Sequence, residues 1–371
     1  MKINPDLIEE ILEKTTEEIK AMKPVNIMLI GKTGVGKSTL INSIFRENMA
    51  KTGVGMPITK HISRMEKKGM PIVLYDTQGY ELNPENQQKV NQEIKETIEK
   101  LYKKEEEKIH LIYYCIHGSS GRIEETEIDL IKSIGNQIPI IVVLTQAIGE
   151  VAQELKSFID DLNLPVIDSI PVLAKPYRIA GDISIEPFGL KELLKRTFEA
   201  LPEDLFDSFN NAQQIDIDLK VERARAWAKK YVRRSFGIGF IPIPFSDAVL
   251  LVPTQLSMLA KINAIFGVSM DKTKLVTILA AVGGTSGATV LGRSIVSNII
   301  KFLPGLGSVA GGAISGTTAS VITSALAFAY IESLAYIARR NKSDEEIDLT
   351  GLEKIMKENF KRFMKENKKA K

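Results

Sequence analysis

Cysteine is nearly missing from this sequence. Cys115 is the single one in 371 residues, so no internal disulfide can form, and its apolar neighbours make it a core residue. Histidine is almost as scarce. The three, at positions 61, 110 and 117, have no metal-ligand spacing. Charge of one sign is lacking too. The 49 basic and 46 acidic residues leave a net +3, too small to argue for a nucleic-acid partner. The N-terminus has no uninterrupted apolar run, because Asp6, Glu9, Glu10 and Glu13 break it. It is therefore not a signal peptide, and the expected location is the cytoplasm.

One stretch stands out against this ordinary background. Gly31-Lys32-Thr33-Gly34-Val35-Gly36-Lys37-Ser38 fits the pattern G-x-x-x-x-G-K-[ST], which chance would produce in roughly one sequence in a hundred of this length. An apolar β-branched run precedes it (residues 25–30, V-N-I-M-L-I). A helical pattern opening at Thr39 follows it. Strand, glycine-rich turn and helix are what phosphate binding requires. The glycines let successive backbone N–H groups converge on phosphate oxygens, and the helix N-terminus adds partial positive charge. In this pattern Lys37 reaches the β- and γ-phosphates and the Ser38 hydroxyl sits on Mg²⁺.

The rest of the first half repeats strand and helix. Residues 4–22 read as an amphipathic helix, with Asn4 as N-cap and Pro5 at the first helical position. Residues 46–60 read as a loop, and 61–65 as a short strand. The strand at 71–75 ends in Asp76-Thr77-Gln78-Gly79. This D-x-x-G gains force from following a strand and a phosphate loop: Asp76 would hold Mg²⁺ through water and the Gly79 N–H would sense the γ-phosphate. Thr59 lies where a loop could bring a hydroxyl to the same metal. Strands at 109–116, 139–144 and 166–173 alternate with helices at 84–107, 124–134, 150–162 and 189–201. The pattern predicts a mostly parallel sheet covered on both faces.

Beyond residue 202 no strand is suggested. Residues 205–234 read as one long helix, basic at its end. Two uncharged stretches, 275–292 and 302–331, are long enough to span a bilayer. Small residues recur at Ser308, Gly312, Gly316, Ser320 and Ser324, as at close helix contacts. Their glycine content and the scattered Lys272, Lys274, Arg293 and Lys301 fit a packed helical core as well. Both readings stay open. Residues 352–364 form a last amphipathic segment, which either docks on its own domain or lies on an anionic surface.

Together, G-K-T-G-V-G-K-S-T, P-I-T-K with Thr59, and D-T-Q-G resemble a GTPase domain of the Era-like group. F-N-N-A-Q-Q, K-V-E-R-A-R, P-I-P-F-S-D-A-V-L-L-V-P-T-Q-L-S-M and F-L-P-G-L-G-S-V-A-G-G are similar to a helical region of unknown function that follows such domains in some bacterial proteins. The layout resembles the immunity-related GTPases more loosely. The resemblance implies an α/β P-loop GTPase domain, with a mostly parallel sheet and helices on both faces, plus an all-α, glycine-rich helical domain. The expected division is residues 1–23 as a helix packing with the helical domain, 24–202 as the GTP-binding domain, and 203–371 as the all-α domain. It implies GTP or GDP and Mg²⁺ as cofactors. Lys32, Thr33, Gly34, Val35, Gly36, Lys37, Ser38 and Thr39 cradle the nucleotide, while Ser38, Thr59 and Asp76 hold the metal. Catalysis falls to Lys37, Thr59, Gly79 and Gln78.

Two departures from the family pattern matter. The guanine-reading N/T-K-x-D is replaced by Thr145-Gln146-Ala147-Ile148, which has no carboxylate. Gln146 can still lay its methylenes along the base, and Ala174, next to Lys175, can offer its N–H to the guanine oxygen. The residue after D-x-x-G is Tyr80 instead of the water-orienting glutamine. Hydrolysis is therefore expected to be slow until a partner, a second copy of the chain or a membrane surface completes the site. An ATPase of the same type, and a nucleotide-binding scaffold with little hydrolysis that acts at membranes, are the competing readings.

Overall fold

The computed structural model describes residues 5–45, 49, 54–77, 84–180, 182–238, 247–282, 316–342 and 345–369. Contacts divide the chain into two units, Met22–Asp216 and the pair Met1–Ala21 with Ile217–Lys371. The first helix, α1 (Pro5–Lys20), thus belongs with the C-terminal helices.

The first unit is built on a seven-stranded sheet. β1 (Val25–Ile30) pairs in parallel with β4 (Ile72–Thr77) on one side and β5 (Leu111–His117) on the other. β6 (Ile140–Thr145) and β7 (Asp168–Val172) continue in parallel beyond β5. β2 (Val54–Pro57) and β3 (Ile62–Glu66) run antiparallel at the opposite edge, giving the order β2-β3-β4-β1-β5-β6-β7. The central strands are apolar throughout because both faces are covered. Along β1, Ile27 and Leu29 face one core and Met28 and Ile30 the other. The first core is closed by α2 (Lys37–Ile44), α6 (Leu190–Ala200) and α7 (Phe206–Ala212). The second is closed by α3 (Pro84–Tyr102), α4 (Glu125–Ile134) and α5 (Glu150–Asp161). Each fully buried aliphatic side chain contributes about 1.5–3 kcal/mol relative to exposure.

Three expectations are corrected here. Residues 54–57, read as loop, form the edge strand β2; edge position tolerates its Gly55 and Pro57. A separate hairpin, β8 (Tyr177–Ala180) with β9 (Ile183–Ile185), was also unforeseen. The long helix expected at 205–234 is broken at Gln213–Asp216. The Gln213 side chain bonds the Asp216 backbone twice, its amide donating to the carbonyl at 2.7 Å and its oxygen accepting the N–H at 2.9 Å. Residues 203–216 accordingly pack with the sheet, moving the boundary from 202 to 216. Phe209 supplies the reason. It is fully buried and makes edge-to-face contacts with Phe45 and Phe198 at 6.1 and 5.1 Å.

The helical unit gathers α1, α8 (Ile217–Ile238), α9 (Asp247–Phe266), α10 (Lys272–Val282), α11 (Gly316–Lys342) and α12 (Leu349–Lys369) around one core. Among the described residues no strand occurs in it. The described part of the first uncharged stretch lies in α10 and that of the second in α11; Ser308 and Gly312 lie outside the described residues. Ser320–Asn341 is long and apolar enough to cross a membrane, and 78% of its apolar window is buried inside the unit. That core also holds polar pairs: the Tyr330 hydroxyl donates to Asn263 Oδ1 at 2.7 Å, and the Gln255 amide to Thr323 Oγ1 at 3.0 Å. Leu352, Met356, Phe360 and Met364 of α12 dock into it, with Lys354, Lys361 and Lys365 exposed on the same helix.

Candidate functional site

The site forms where the strand order turns. β1 ends between β4 and β5, and the crevice at the carboxyl ends of such strands is the usual ligand position in open α/β sheets. The glycine-rich loop fills this crevice. Gly31 has φ +152°, and a Cβ there would lie 2.3 Å from the Cys115 carbonyl oxygen of β5. The loop is therefore pressed directly onto the neighbouring strand. Gly36 ends the loop and leads into α2, whose N-terminus has no side-chain cap. Its first-turn N–H groups are the anion-binding element the motif requires. Thr33, Gly34, Ser38 and Thr39 are exposed along the loop, and Val35 is buried beneath it.

Lys37 is buried, and its Nζ donates to the carbonyls of Gly31 at 2.7 Å and Lys32 at 3.2 Å. The ammonium is thus stored in the loop it serves. Asp76, paired with Leu29 in the β4–β1 register, is the penultimate residue of β4. Its Oδ1 is buried with no hydrogen-bond partner, as is Thr77 Oγ1. Burial pushes the Asp76 carboxyl above its ordinary range, and the charge of Lys37 partly offsets that. An orphaned carboxylate oxygen at a phosphate loop fits a bound cation. Among the described residues no three His, Cys, Asp or Glu side chains converge on a metal, so the remaining ligands would be Ser38, phosphate and water.

The other expected residues divide. Thr59 lies in the turn between β2 and β3, three residues before Ile62, which pairs with Thr77. The turn is thus beside the end of β4, yet the Thr59 hydroxyl accepts the Ile62 N–H at 3.1 Å. Thr145, expected at the base, is instead a tether. Its hydroxyl bonds the carbonyls of Val35 and, at 3.1 Å, Ile116. Gln146 has φ +48°, and its amide nitrogen would be 3.6 Å from a Cβ at Gly36, so its side chain flanks the loop. Ala174 is half-buried and its carbonyl accepts the Ser43 hydroxyl at 3.0 Å; Lys175 is exposed. Gln78, Gly79 and Tyr80 lie outside the described residues.

Sequence reasoning missed three supports. Lys32 lies 2.5 Å from Glu124 and 3.7 Å from Glu127 at the start of α4, so the loop is staked to that helix. Glu124 is drawn below its ordinary range by Lys32, while burial raises Glu127. These two glutamates also form the capping box of α4, a spacing visible in the sequence. Ser119 holds the Gln146 segment by donating to the Gln146 carbonyl at 2.9 Å. Glu93, on α3, holds the Thr59 turn. Nothing in the sequence signalled either of these last two.

A parallel core sheet, a phosphate loop at its reversal point and an orphaned carboxylate beside the loop lysine define a P-loop nucleotide-binding domain. Residues 26–146 match the family model described as 50S ribosome-binding GTPase, so over this domain the chain is similar to that family. It is 26% identical to neuronal-specific septin-3 of Danio rerio over 166 residues, 38% of this chain and 45% of that protein. It is 29% identical to septin-9 of Rattus norvegicus over 168 residues, 38% of this chain and 29% of that protein. The chain spans about half the length, or less, of these curated relatives. A crystal structure of a probable GTP-binding protein engB aligns at 23% identity with a TM-score of 0.34, covering 47% of this chain and 98% of that one.

Proposed function

We propose that the chain is a GTP-hydrolysing switch of the cytoplasm, near the Era-like group by its motifs, which acts through its helical unit. The observation that carries this is Lys37, stored on the Gly31 and Lys32 carbonyls beside the orphaned Asp76 oxygen. In the loaded protein the loop N–H groups and the uncapped start of α2 hold the phosphates. Lys37 leaves its carbonyls for the β- and γ-phosphate oxygens. Ser38 and Asp76 would hold Mg²⁺, with Thr59 joining them when its turn is released; the ion supplies charge neutralisation of the phosphates. Water then attacks the γ-phosphate in line.

No carboxylate reads the base, and Thr145 is occupied as a tether, which favours an ATPase as the second reading. Competition of GTP and ATP for the site separates the two. Preference for GTP, abolished by Lys37→Ala, supports the first; equal affinities favour the second. Tyr80 in place of the usual glutamine makes the chain a slow enzyme alone, completed by a second copy in the GTP state or by a bilayer surface. A specific hydrolysis rate that rises with protein concentration or with anionic liposomes supports that part of the reading. A flat rate in both series rejects it.

A further inference from the structure

The helical unit is polarised along its length. α8 and α12 both run antiparallel to α11. On one flank Asp218 lies 3.1 Å from Arg339, and Arg225 lies 2.6 Å from Glu332. On the other, the Ser333 hydroxyl donates to Met356 Sδ at 3.6 Å, and the Phe328 and Phe363 rings are 5.4 Å apart. The carboxyl ends of α8 and α12 therefore lie level with each other, beside the first half of α11. Positive charge collects there. From Arg223 to Arg234, α8 has six basic residues and no acidic one, and Lys229, Lys230, Arg233 and Arg234 are exposed. On α12, Lys361, Arg362 and Lys365 are exposed, with Glu366 against them. Carboxylates collect at the opposite end, at Asp218, Glu222, Glu345, Glu346 and Asp348. Arg339 and Arg340, found there, pair with Asp218 and with Glu345, the latter at 3.2 Å.

Two aromatic rings join the cations of α8 to those of α12. The Arg225 guanidinium lies over the Phe328 ring at 6.0 Å, Phe328 meets Phe363, and the Arg362 guanidinium lies over Phe363 at 4.6 Å. Both rings are half-buried. Like charges gathered at one end repel one another and cost stability, and an anionic surface offsets that cost. Two features favour a bilayer as that surface. The patch is spread over separate helices and is not gathered into a cleft. The first half of α11, which lies between the two sets of cations, belongs to the stretch 275–331, where Arg293 and Lys301 are the sole charges. Apolar rings bordered by Lys and Arg suit the boundary between headgroups and acyl chains, with the cations at lipid phosphate.

We propose that this basic end, with Lys229 and Arg233 of α8 and Arg362 and Lys365 of α12 around the Phe328–Phe363 pair, is a docking surface for an anionic bilayer. The inference rests on the bilayer part of the functional reading above and deepens it by naming the surface and the lipid charge it meets. The unit lies on the membrane; α11 has no need to enter it, since 78% of its apolar window is already buried within the unit. Each cation near such a surface strengthens binding by about fivefold, and the gain fades as salt is added.

The test is flotation of the full chain with vesicles, either phosphatidylcholine alone or an equal mixture with phosphatidylglycerol. Two surface variants are compared with wild type: Lys229→Gln with Arg233→Gln, and Arg362→Gln with Lys365→Gln. Lys191→Gln with Lys195→Gln, two exposed lysines of α6, makes the same change in net charge away from the patch. A urea titration followed by Trp227 fluorescence checks that the helical unit of each variant is folded. Wild type should float with the phosphatidylglycerol vesicles alone. Each surface pair should weaken this binding by about tenfold or more, and the α6 pair should leave it at the wild-type level. Equal binding to both vesicle types, wild-type binding by both surface pairs, or an equal loss in the α6 pair overturns the assignment of this surface. A double-stranded DNA fragment that binds where vesicles do not gives the surface to nucleic acid and also overturns it. Wild type that ignores both vesicle types rejects the surface together with the bilayer part of the functional reading. GTP binding is measured without vesicles: its absence sinks the switch, while charge-dependent flotation still upholds the surface.

Discussion

The Thr145 hydroxyl donates to the Val35 carbonyl, joining the end of β6 to the middle of the phosphate loop. Thr145 opens the segment that reads the base in related domains, yet here its side chain faces the loop from behind and is buried. The same oxygen lies 3.1 Å from the Ile116 carbonyl of β5, so one side chain spans two strands and the loop.

This geometry sets the first expectation. Thr145→Val keeps the shape and removes the donor, leaving buried carbonyls unpaired at about 1 kcal/mol. Affinity for GTP and GDP should fall by about fivefold for both alike, because the loop and not the base contact is loosened. Thr145→Ser should retain binding. A loss confined to base selectivity, seen as weaker GTP with unchanged ATP, would restore Thr145 to a base-reading role.

Asp76→Asn should stabilise the nucleotide-free protein while weakening its Mg²⁺-dependent binding. The folded-state pKa of Asp76 lies above its ordinary 3.8, chiefly through burial. Folding therefore favours the protonated form. The carboxylate costs stability once the pH rises past 3.8 through the folded value, and the cost persists at neutral pH. Asparagine should raise the melting temperature at pH 7 by a few degrees, equivalent to about 1 kcal/mol, and the gain should shrink below about pH 4. A melting temperature at pH 7 equal to or below that of wild type would show that the carboxylate is already paired. Triphosphate affinity in Mg²⁺ should fall more than in EDTA.

The loop glycines should differ in kind. Gly31→Ala drives a Cβ onto the Cys115 carbonyl, at 2.3 Å, and either strand or loop must shift. The cost should be about 3 kcal/mol or more, seen as lost soluble yield. At Gly34 no atom lies within 4 Å of the place a methyl would take, and only the φ of +80° opposes alanine. Gly34→Ala should cost about 1–2 kcal/mol and leave folded protein. Equal thermal stability of the two variants contradicts this account of the loop.

In the helical unit, Tyr330→Phe should destabilise by about 1–3 kcal/mol, because the Asn263 oxygen loses its buried donor. Replacing both residues, Tyr330→Phe with Asn263→Leu, should recover part of the loss. Trp227 is the chain's single tryptophan and lies under Lys230 and Lys261, at 4.1 and 4.5 Å from the ring centre. Its fluorescence in a urea titration reports this unit by itself. A double variant less stable than either single one would mean that the pair is not the unit of stability.

Much of this was legible in the residue order, for physical reasons. A phosphate loop is local: its glycines, lysine and serine lie within eight residues and act chiefly through their own backbone, so spacing alone reveals them. The central strands were legible because burial on both faces leaves an unbroken apolar run. The fate of the uncharged stretches was not, since a bilayer and a protein core select the same side chains. The described parts of those stretches lie in a helical core because α1, α8, α9 and α12 supply the apolar faces and polar partners that meet them. The same limit applies at the site. Glu93 is 32 residues from His61 and Glu124 is 92 from Lys32, as the numbering gives (93 − 61 and 124 − 32). Which carboxylate meets which loop depends on how helices pack over the sheet. Residue order determined the glycine-rich loop and its lysine; tertiary packing decided that Thr145 braces that loop and that the turn carrying His61 is held by Glu93 of α3.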